Sequence, residues 1–242
     1  MTNNGPSHGA IRSGRDIRRM FDRIVPRYDL MNRVMTGGRD AVWRTMVARK
    51  AVAAHPGGAK VLDVATGTGD LAFAIREAGA AQVTGVDFSR EMILSARNKA
   101  RRKGDPSTFL IADALHLPFA DATFDACTVS FGLRNMVDYD AALREMTRIL
   151  RPGGMFICLE MTPFQRPIVG PLFRVYFERI VPLVGGALSG DLSAYRYLPR
   201  SVEAFPTAHD LAERMRGIGL EHVRYSLLGF GAVAIHSGTR PE

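Results

Sequence analysis

The sequence predicts an α/β fold, a parallel sheet of five strands covered by helices and extended by two terminal strands to seven. Three observations predict it. From Lys60 to Glu160, short apolar runs of strand length alternate with segments of helical periodicity, the signature of β-α-β units. The first run, Val61 to Ala65, breaks at Thr66-Gly67-Thr68-Gly69 directly into the helical pattern that begins at Leu71. The fourth, Phe124 to Phe131, has apolar residues on both faces, Phe124 and Ala126 on one and Cys127, Val129 and Phe131 on the other, as a central strand does. At 242 residues and 46% hydrophobic content, the chain is long enough to bury one sizeable core, so a single domain with additions is expected.

Residues 1 to 15 are polar and lack an apolar core segment; they are expected to be disordered and are not a signal peptide. Ile17, Met20, Phe21 and Ile24 then recur at helical spacing, with Arg12, Arg15, Arg19 and Arg23 opposite. This is a basic amphipathic helix, expected to end near Pro26. After a Thr36-Gly37-Gly38 break a second helix runs from about Arg39 to Ala54 and carries the only tryptophan, Trp43. Residues 1–58 thus form a helical cover, with Pro56-Gly57-Gly58 as the link into the core of residues 59–162.

Within the core, Gln82 to Val86 is the second strand, and Met92, Ile93, Ala96 and Ala100 mark a helix N-capped by Ser89. Lys99, Arg101, Arg102 and Lys103 close that helix before Gly104, a run read as structural because cations suit a helix C-terminus. Phe109 to Ala112 is the third strand. Ala141 to Leu150 is a helix stopped by Arg151-Pro152-Gly153-Gly154, and Met155 to Glu160 is the fifth strand. Residues 163–205 read as a helical insertion: the run Ile168 to Leu188 is greasy but holds Arg174, Glu178, Arg179 and two prolines, so it is no membrane span. It suits a lid over an apolar substrate, or else packs on the core or on a second copy of the chain. Thr207 to Gly217 forms the last helix, and Glu221 to Leu228 with Gly231 to Ser237 a hairpin through Gly229.

The glycine turn marks a nucleotide-type site, since Gly67 and Gly69 let the backbone approach a ligand where a Cβ would obstruct it. Gly67-x-Gly69-x-x-Ala72, with Asp87 20 residues beyond Gly67, also fits the dinucleotide fingerprint. Asp63 favours S-adenosylmethionine instead, because a carboxylate beside the turn attracts a cationic amino group and sulfonium and would repel a pyrophosphate. Asp87 ends the second strand, within reach of ribose hydroxyls, and Asp113 follows the third, where it meets an adenine amine. Any one of these acids reads equally as a cap or as strand-end solvation. Three at successive strand ends, with the turn, indicate a methyl donor.

Several segments resemble the ubiquinone/menaquinone biosynthesis C-methyltransferases over nearly the whole chain. They are Phe21 with Tyr28-Asp29-x-Met31-Asn32, Trp43-Arg44, the Val61 to Leu71 turn, Ala114-x-x-Leu117-Pro118-Phe119 with Phe124-Asp125, Ser130-Phe131-Gly132-Leu133-Arg134-Asn135, Tyr195-x-Tyr197-Leu198 with Ser201, and Ala232-x-Ala234-x-His236-x-Gly238. Ser130 to Asn135 and Tyr195 to Ser201 are the most specific. Thr66 departs from a glycine frequent in that family, and Asp40 stands where relatives often carry a basic residue. The resemblance implies a seven-stranded class I S-adenosylmethionine-dependent methyltransferase sheet of Rossmann type. It also implies cofactor contacts at Thr68, Asp87, Asp113, Ala114 and Ser130, and methylation of a ring carbon of demethylmenaquinol or of 2-polyprenyl-6-methoxy-1,4-benzoquinol.

For such chemistry Arg134 is the candidate phenolate stabiliser or water-relay partner, because it stays cationic; its bland alternative is a salt bridge to a nearby acid. Asp70, Asn135 and Tyr28 are candidates to orient ring and water. His236 reads as a satisfied histidine in a strand, the other histidines show no ligand spacing, and no metal is expected. Cys127 and Cys158 lie in apolar runs and read as buried free thiols. The net charge of +8 calls for an acidic partner. An RNA methyltransferase is the rival reading, but Ser130-Phe131-Gly132-Leu133 lacks the Asn/Asp-Pro-Pro-aromatic motif of amino-group base methylation, and neither cysteine follows a proline. Reversible contact with the inner face of an anionic membrane, where a polyprenyl tail resides, accounts for the charge more economically than RNA. A cytoplasmic enzyme at that surface is therefore expected, with a homodimer as a further possibility and a non-catalytic cofactor-binding protein as a third reading.

Overall fold

A computed structural model describes residues 14–53, 55, 58–164 and 192–242. Helices α1 (Gly14–Met35) and α2 (Arg39–Ala53) precede β1 (Lys60–Val64), α3 (Asp70–Glu77), β2 (Gln82–Asp87), α4 (Arg90–Lys103) and β3 (Thr108–Ile111). Then come β4 (Phe124–Ser130), α5 (Tyr139–Arg148), β5 (Leu150–Met161), α6 (Leu192–Glu203), α7 (Ala208–Gly217), β6 (Glu221–Leu228) and β7 (Val233–Thr239). The expected N-terminal disorder up to residue 13, the Pro56-Gly57 link and the apolar run Ile168 to Leu188 lie outside the described residues.

The seven strands form one sheet in the order β3-β2-β1-β4-β5-β7-β6. β1 to β5 run parallel to one another, and β7 runs antiparallel to both β5 and β6. Strand alternation sorts the core into two layers. Leu62, Val64, Cys127, Val129, Phe156 and Cys158 face α5 and α7, where Leu143, Met146, Leu211 and Met215 meet them. Val61, Ala126, Ile157 and Leu159 face α2, α3 and α4, which supply Val47, Ala51, Phe73, Ile75, Ile93 and Ala96. Both cysteines are free and buried. His236 is buried too, with Nε2 2.8 Å from the Ala208 carbonyl and its ring stacked on Tyr225.

Local signals placed most boundaries within a residue or two. Ser89 Oγ accepts from Met92 N at 3.1 Å and Gly104 ends α4 at φ 65°, while Thr207 caps α7. Two expectations need correction. α1 does not stop at Pro26 but continues to Met35. An interior proline costs about 3 kcal/mol, whereas burying Met20 and Met31 against Tyr197 and Leu198 returns roughly 1.5–3 kcal/mol each. β5 begins at Leu150 rather than Met155, because Leu150 already pairs with Phe124; an irregularity before Ala126↔Met155 absorbs the Arg151 to Gly154 segment.

The order of strands reverses between β1 and β4, so the chain leaves these two neighbours in opposite directions and a crevice opens at their carboxyl ends. Ala65 (φ 53°) and Phe131 (φ 55°), the residues that follow the two strands, both adopt the left-handed region, a strained choice that concentrates where a site is built. Gly132 makes the close approach possible: a Cβ there would lie 2.4 Å from the Ala65 Cβ.

Candidate active site

The crevice is polar at its floor because β1 places a carboxylate between two hydroxyls. Asp63 is 1% exposed; Thr66 Oγ1 donates to its Oδ2 at 2.6 Å and Thr128 Oγ1 to its Oδ1 at 2.8 Å. Burial pushes its carboxyl from 3.8 up to about 6, against the pull of those hydroxyls. The Thr66 hydroxyl thus does something that a glycine at this position would leave undone. Asp87 accepts from the backbone N–H of Gly67 and of Ser89, each at 2.9 Å, and burial raises it likewise to about 6. The glycine turn is therefore tied to the end of β2. Gly67 (φ 56°) borders the crevice; Gly69 (φ 90°) starts α3, where a Cβ would lie 3.0 Å from the Phe73 ring and 3.1 Å from that of Phe109. Its part is the turn itself, and it lines none of the cavities described here.

Three small cavities share walls around this floor. A slot of about 120 Å³ has Val64, Val86, Ala112, Ala114 and Met136 as apolar sides and Asp87 and Asp113 at its edge. A recess of about 20 Å³ gathers Asp63, Thr66, Thr68, Asp70 and Ser130 beneath Tyr28. Between them a space of about 40 Å³ is bounded by Gly67, Asp87, Gly132 and Asn135. The Oγ of Ser130 and Oδ1 of Asn135 are buried without hydrogen-bond partners among the described residues, as expected of groups that await a ligand. An apolar slot with an acid at its rim fits an adenosine, and a recess of carboxylates and hydroxyls fits a cationic amino-acid end. The residues present suit S-adenosylmethionine.

A fourth cavity, of about 330 Å³, opens beyond Tyr28 and Phe131, which it shares with the recess. Met20, Ile24, Met31, Trp43, Val233 and Leu198 make it apolar. Arg134 and Arg39 are cations on its wall, and Arg134 is the buried one. The side chain is 9% exposed, its Nη1 donates to Glu160 Oε1 at 2.7 Å and to the Phe131 carbonyl at 2.6 Å, and its Nε is buried without a partner among the described residues. The salt-bridge alternative for Arg134 is thus what the structure contains, with a free donor left over. Burial pushes the Tyr28 phenol up, against its hydrogen bond with Asn32 and the charges of Arg134 and Arg44; it keeps its proton and is no base.

Asp70 lies at the start of α3 between Lys99 Nζ at 2.8 Å and Arg44 Nη1 at 3.5 Å. Lys99 also reaches Asp29 at 2.5 Å and Thr68 Oγ1 at 2.9 Å, and Thr68 donates to Asp29 at 2.6 Å. Lys99 thus has a structural role, as expected of its basic run, but through tertiary partners rather than the helix terminus: it joins α1, the glycine turn and α4. Asp40 is buried and accepts from Arg44 at 2.6 Å and from Thr36 at 2.9 Å, an internal tie at the α1–α2 corner.

Asp63, Gly67, Thr68, Asp87, Asp113, Ala114 and Ser130 are thus brought together, with Tyr28, Asn135, Asp70 and Arg134 on the adjoining walls. Sequence reasoning missed Glu160, Lys99, Arg44 and Asp29. Glu160 had a legible signal, since it ends an apolar strand just as Asp87 and Asp63 sit at or near the ends of theirs. Lys99 had none beyond its position in α4.

This sheet order, with an antiparallel seventh strand, a glycine turn after β1 and acids at successive strand ends, defines a class I S-adenosylmethionine-dependent methyltransferase. Solved structures share the fold: the cyclase SpnF (TM-score 0.73, 20% identity, 97% of this chain and 99% of that one) and a SAM-dependent methyltransferase from Thermotoga maritima (TM-score 0.62, 19% identity, 92% and 99%). At such identities they speak for the fold alone. Sequence similarity goes further: the chain belongs to the ubiE/COQ5 methyltransferase family, whose model matches residues 10–240. It is 49% identical to the demethylmenaquinone methyltransferase of Thermus thermophilus, over 92% of this chain and all of that one. It is 44% identical to the ubiquinone/menaquinone biosynthesis C-methyltransferase UbiE of Desulfotalea psychrophila, over 94% and 91%. The chain is an enzyme that uses S-adenosylmethionine, as its family does.

Proposed function

We propose that the chain transfers a methyl group to a ring carbon of a polyprenylated quinol, demethylmenaquinol or 2-polyprenyl-6-methoxy-1,4-benzoquinol, in menaquinone or ubiquinone biosynthesis. The observation that carries this reading is the apolar cavity of about 330 Å³ that meets the cofactor recess at Tyr28 and Phe131, with Arg134 on its wall. The lining is mostly apolar, with Met20, Ile24, Met31, Trp43 and Leu198 around a few polar groups, which suits a ring with an apolar tail better than a nucleobase.

Bound S-adenosylmethionine supplies an electrophilic methyl group on a sulfonium. Asp63 and Asp70 would face the cationic end of that cofactor, Ser130 and Thr68 would take its polar atoms, and Asp87 and Asp113 would take the ribose hydroxyls and adenine amine. The apolar cavity holds the ring and the start of its tail. When a ring hydroxyl gives up its proton to a water held by Tyr28 and Asn135, the adjacent carbon becomes nucleophilic, and the Nε–H of Arg134 stabilises the oxygen. Transfer of the methyl group to that carbon would leave the sulfur its electron pair, and the ring C–H proton would pass to water as aromaticity is restored. Holding the reactants in line accounts for roughly 7–11 kcal/mol of the barrier, so most of the catalytic work is positioning. The charge held at Arg134 supplies the rest.

A polyprenyl tail loses roughly 0.8 kcal/mol for each methylene taken from lipid into water, so the substrate stays in a bilayer and the enzyme works at its surface. No helix among the described residues is long and apolar enough to cross a membrane; the net charge of +8 supports contact with an anionic surface. The test is mass-detected methyl transfer with each reduced quinol in detergent, the oxidised quinones serving as controls. Methylation of a quinol but not of its quinone is expected. Cofactor binding without transfer to either ring would overturn the proposal in favour of an RNA substrate or a non-catalytic role.

A further inference from the structure

The second helix is apolar on two sides. Inward, Trp43, Val47, Ala48 and Ala51 pack on the sheet. Outward, Val42 is 62% exposed and Met46 42% exposed. Residues 39, 42, 46 and 49 succeed one another at spacings of three and four, and residue 50 follows 46 by four, so Arg39, Val42, Met46, Arg49 and Lys50 share one exposed face. The only acid of the helix, Asp40, is buried against Arg44 and Thr36 and does not offset these cations. At the head of this face stands Phe230, 71% exposed, with the Arg39 guanidinium 5.9 Å from its ring centre. Phe230 sits between β6 and β7 at φ 59°, an outlier for a bulky residue, so the chain holds an aromatic ring in water on a strained backbone.

Phe230, Arg39 and Gly37 also line the large apolar cavity. The strip is therefore continuous with the substrate site. That cavity, about 330 Å³, has room for a bicyclic ring and the beginning of a tail, and a longer tail must leave across its rim. Building on the quinol methyltransferase reading, we propose that the outer face of α2 together with Phe230 is the surface that seats the enzyme on an anionic lipid bilayer and passes the quinol head group into the cavity.

Charge selects lipid over the alternatives. A second copy meeting this face through a two-fold axis would set Arg39, Arg49 and Lys50 against their own equivalents. An apolar strip flanked by cations is instead the composition that enters a bilayer interface bearing acidic head groups.

Co-sedimentation of the full chain with vesicles of phosphatidylcholine, alone or mixed with phosphatidylglycerol, tests the proposal. Each basic residue at an anionic surface contributes about five-fold in partitioning, so Arg49→Glu with Lys50→Glu should weaken binding to the mixed vesicles by about 25-fold or more. Val42→Ser with Met46→Ser should weaken it at any salt concentration, since that contribution is not electrostatic. Both double variants should keep wild-type methyl transfer to a short-tailed quinol in solution and lose it with a long-tailed quinol in vesicles. Absence of wild-type vesicle binding, or unchanged binding by both variants, would overturn the docking face while leaving the soluble activity intact. Loss of a dimer without loss of vesicle binding would assign the face to a second copy instead. Failure of the wild type on the soluble quinol would strike the functional reading itself.

Discussion

Replacing Asp63 by Asn should make the ligand-free protein more stable and the cofactor weaker. In the folded chain burial lifts the Asp63 carboxyl from 3.8 to about 6, so the folded state holds its proton more tightly than the unfolded chain does. Stability therefore declines as pH rises from about 4 to about 6 and stays at the lower level above. At about 1.4 kcal/mol for each tenfold change in proton affinity, the ionised carboxylate costs about 3 kcal/mol at neutral pH. Asn removes that cost and keeps both neighbours, because the Thr66 and Thr128 hydroxyls, 2.6 and 2.8 Å away, can accept from an amide as readily as donate to an oxygen. For a chain of this size the gain corresponds to about 6–12 °C in Tm. Thermal unfolding at pH 5 and pH 8 without cofactor should show the variant ahead at both, with a lead at pH 5 about half of that at pH 8. Calorimetric titration with S-adenosylmethionine at pH 8 should show roughly 10–100-fold weaker binding, the worth of one charge-assisted contact. A ligand-free variant that melts below wild type at pH 8 would refute the reasoning, since it would mean that the carboxylate is net stabilising in its buried place.

Three further outcomes are expected. Arg134→Ala strands the Glu160 carboxylate, 1% exposed, and should cost about 3–5 kcal/mol of stability; Arg134→Lys keeps a cation there but loses the Nε donor, and should lower kcat by about 10²-fold with cofactor affinity unchanged. A Lys variant with wild-type kcat would show that Arg134 serves only the ion pair. Gly132→Ala drives a Cβ to within 2.4 Å of Ala65 and should destabilise by about 1–3 kcal/mol, with a matching loss of cofactor affinity by titration, because the ends of β1 and β4 must part. Lys99→Met leaves Asp29, Thr68 and Asp70 without their shared donor, so α1 should become more open to limited proteolysis and the cofactor should dissociate faster in a stopped-flow chase. Unchanged protease sensitivity would mean that α1 is held by its apolar contacts alone.

Much of this protein is legible in the chain because the deciding interactions are local. The β1–glycine turn–α3 unit, the Ser89 cap of α4, the αL Gly104 and the alternation of apolar runs each depend on residues within a few positions of one another, and each falls where the sequence puts it. The acids at strand ends are legible for the same reason, since in a parallel sheet all the carboxyl ends point to one edge. What the tertiary structure alone decided lies far apart in sequence. The Arg134–Glu160 pair spans 26 positions, the Thr68–Asp29 bond 39 and the Lys99–Asp29 bond 70. α1 runs through Pro26 because burial against α6 outweighs a backbone preference that is otherwise sound. Backbone preference and hydrophobic period are properties of neighbouring residues, whereas the partner of a buried charge is settled by packing, which forces every such charge to find whichever opposite group the fold has brought beside it.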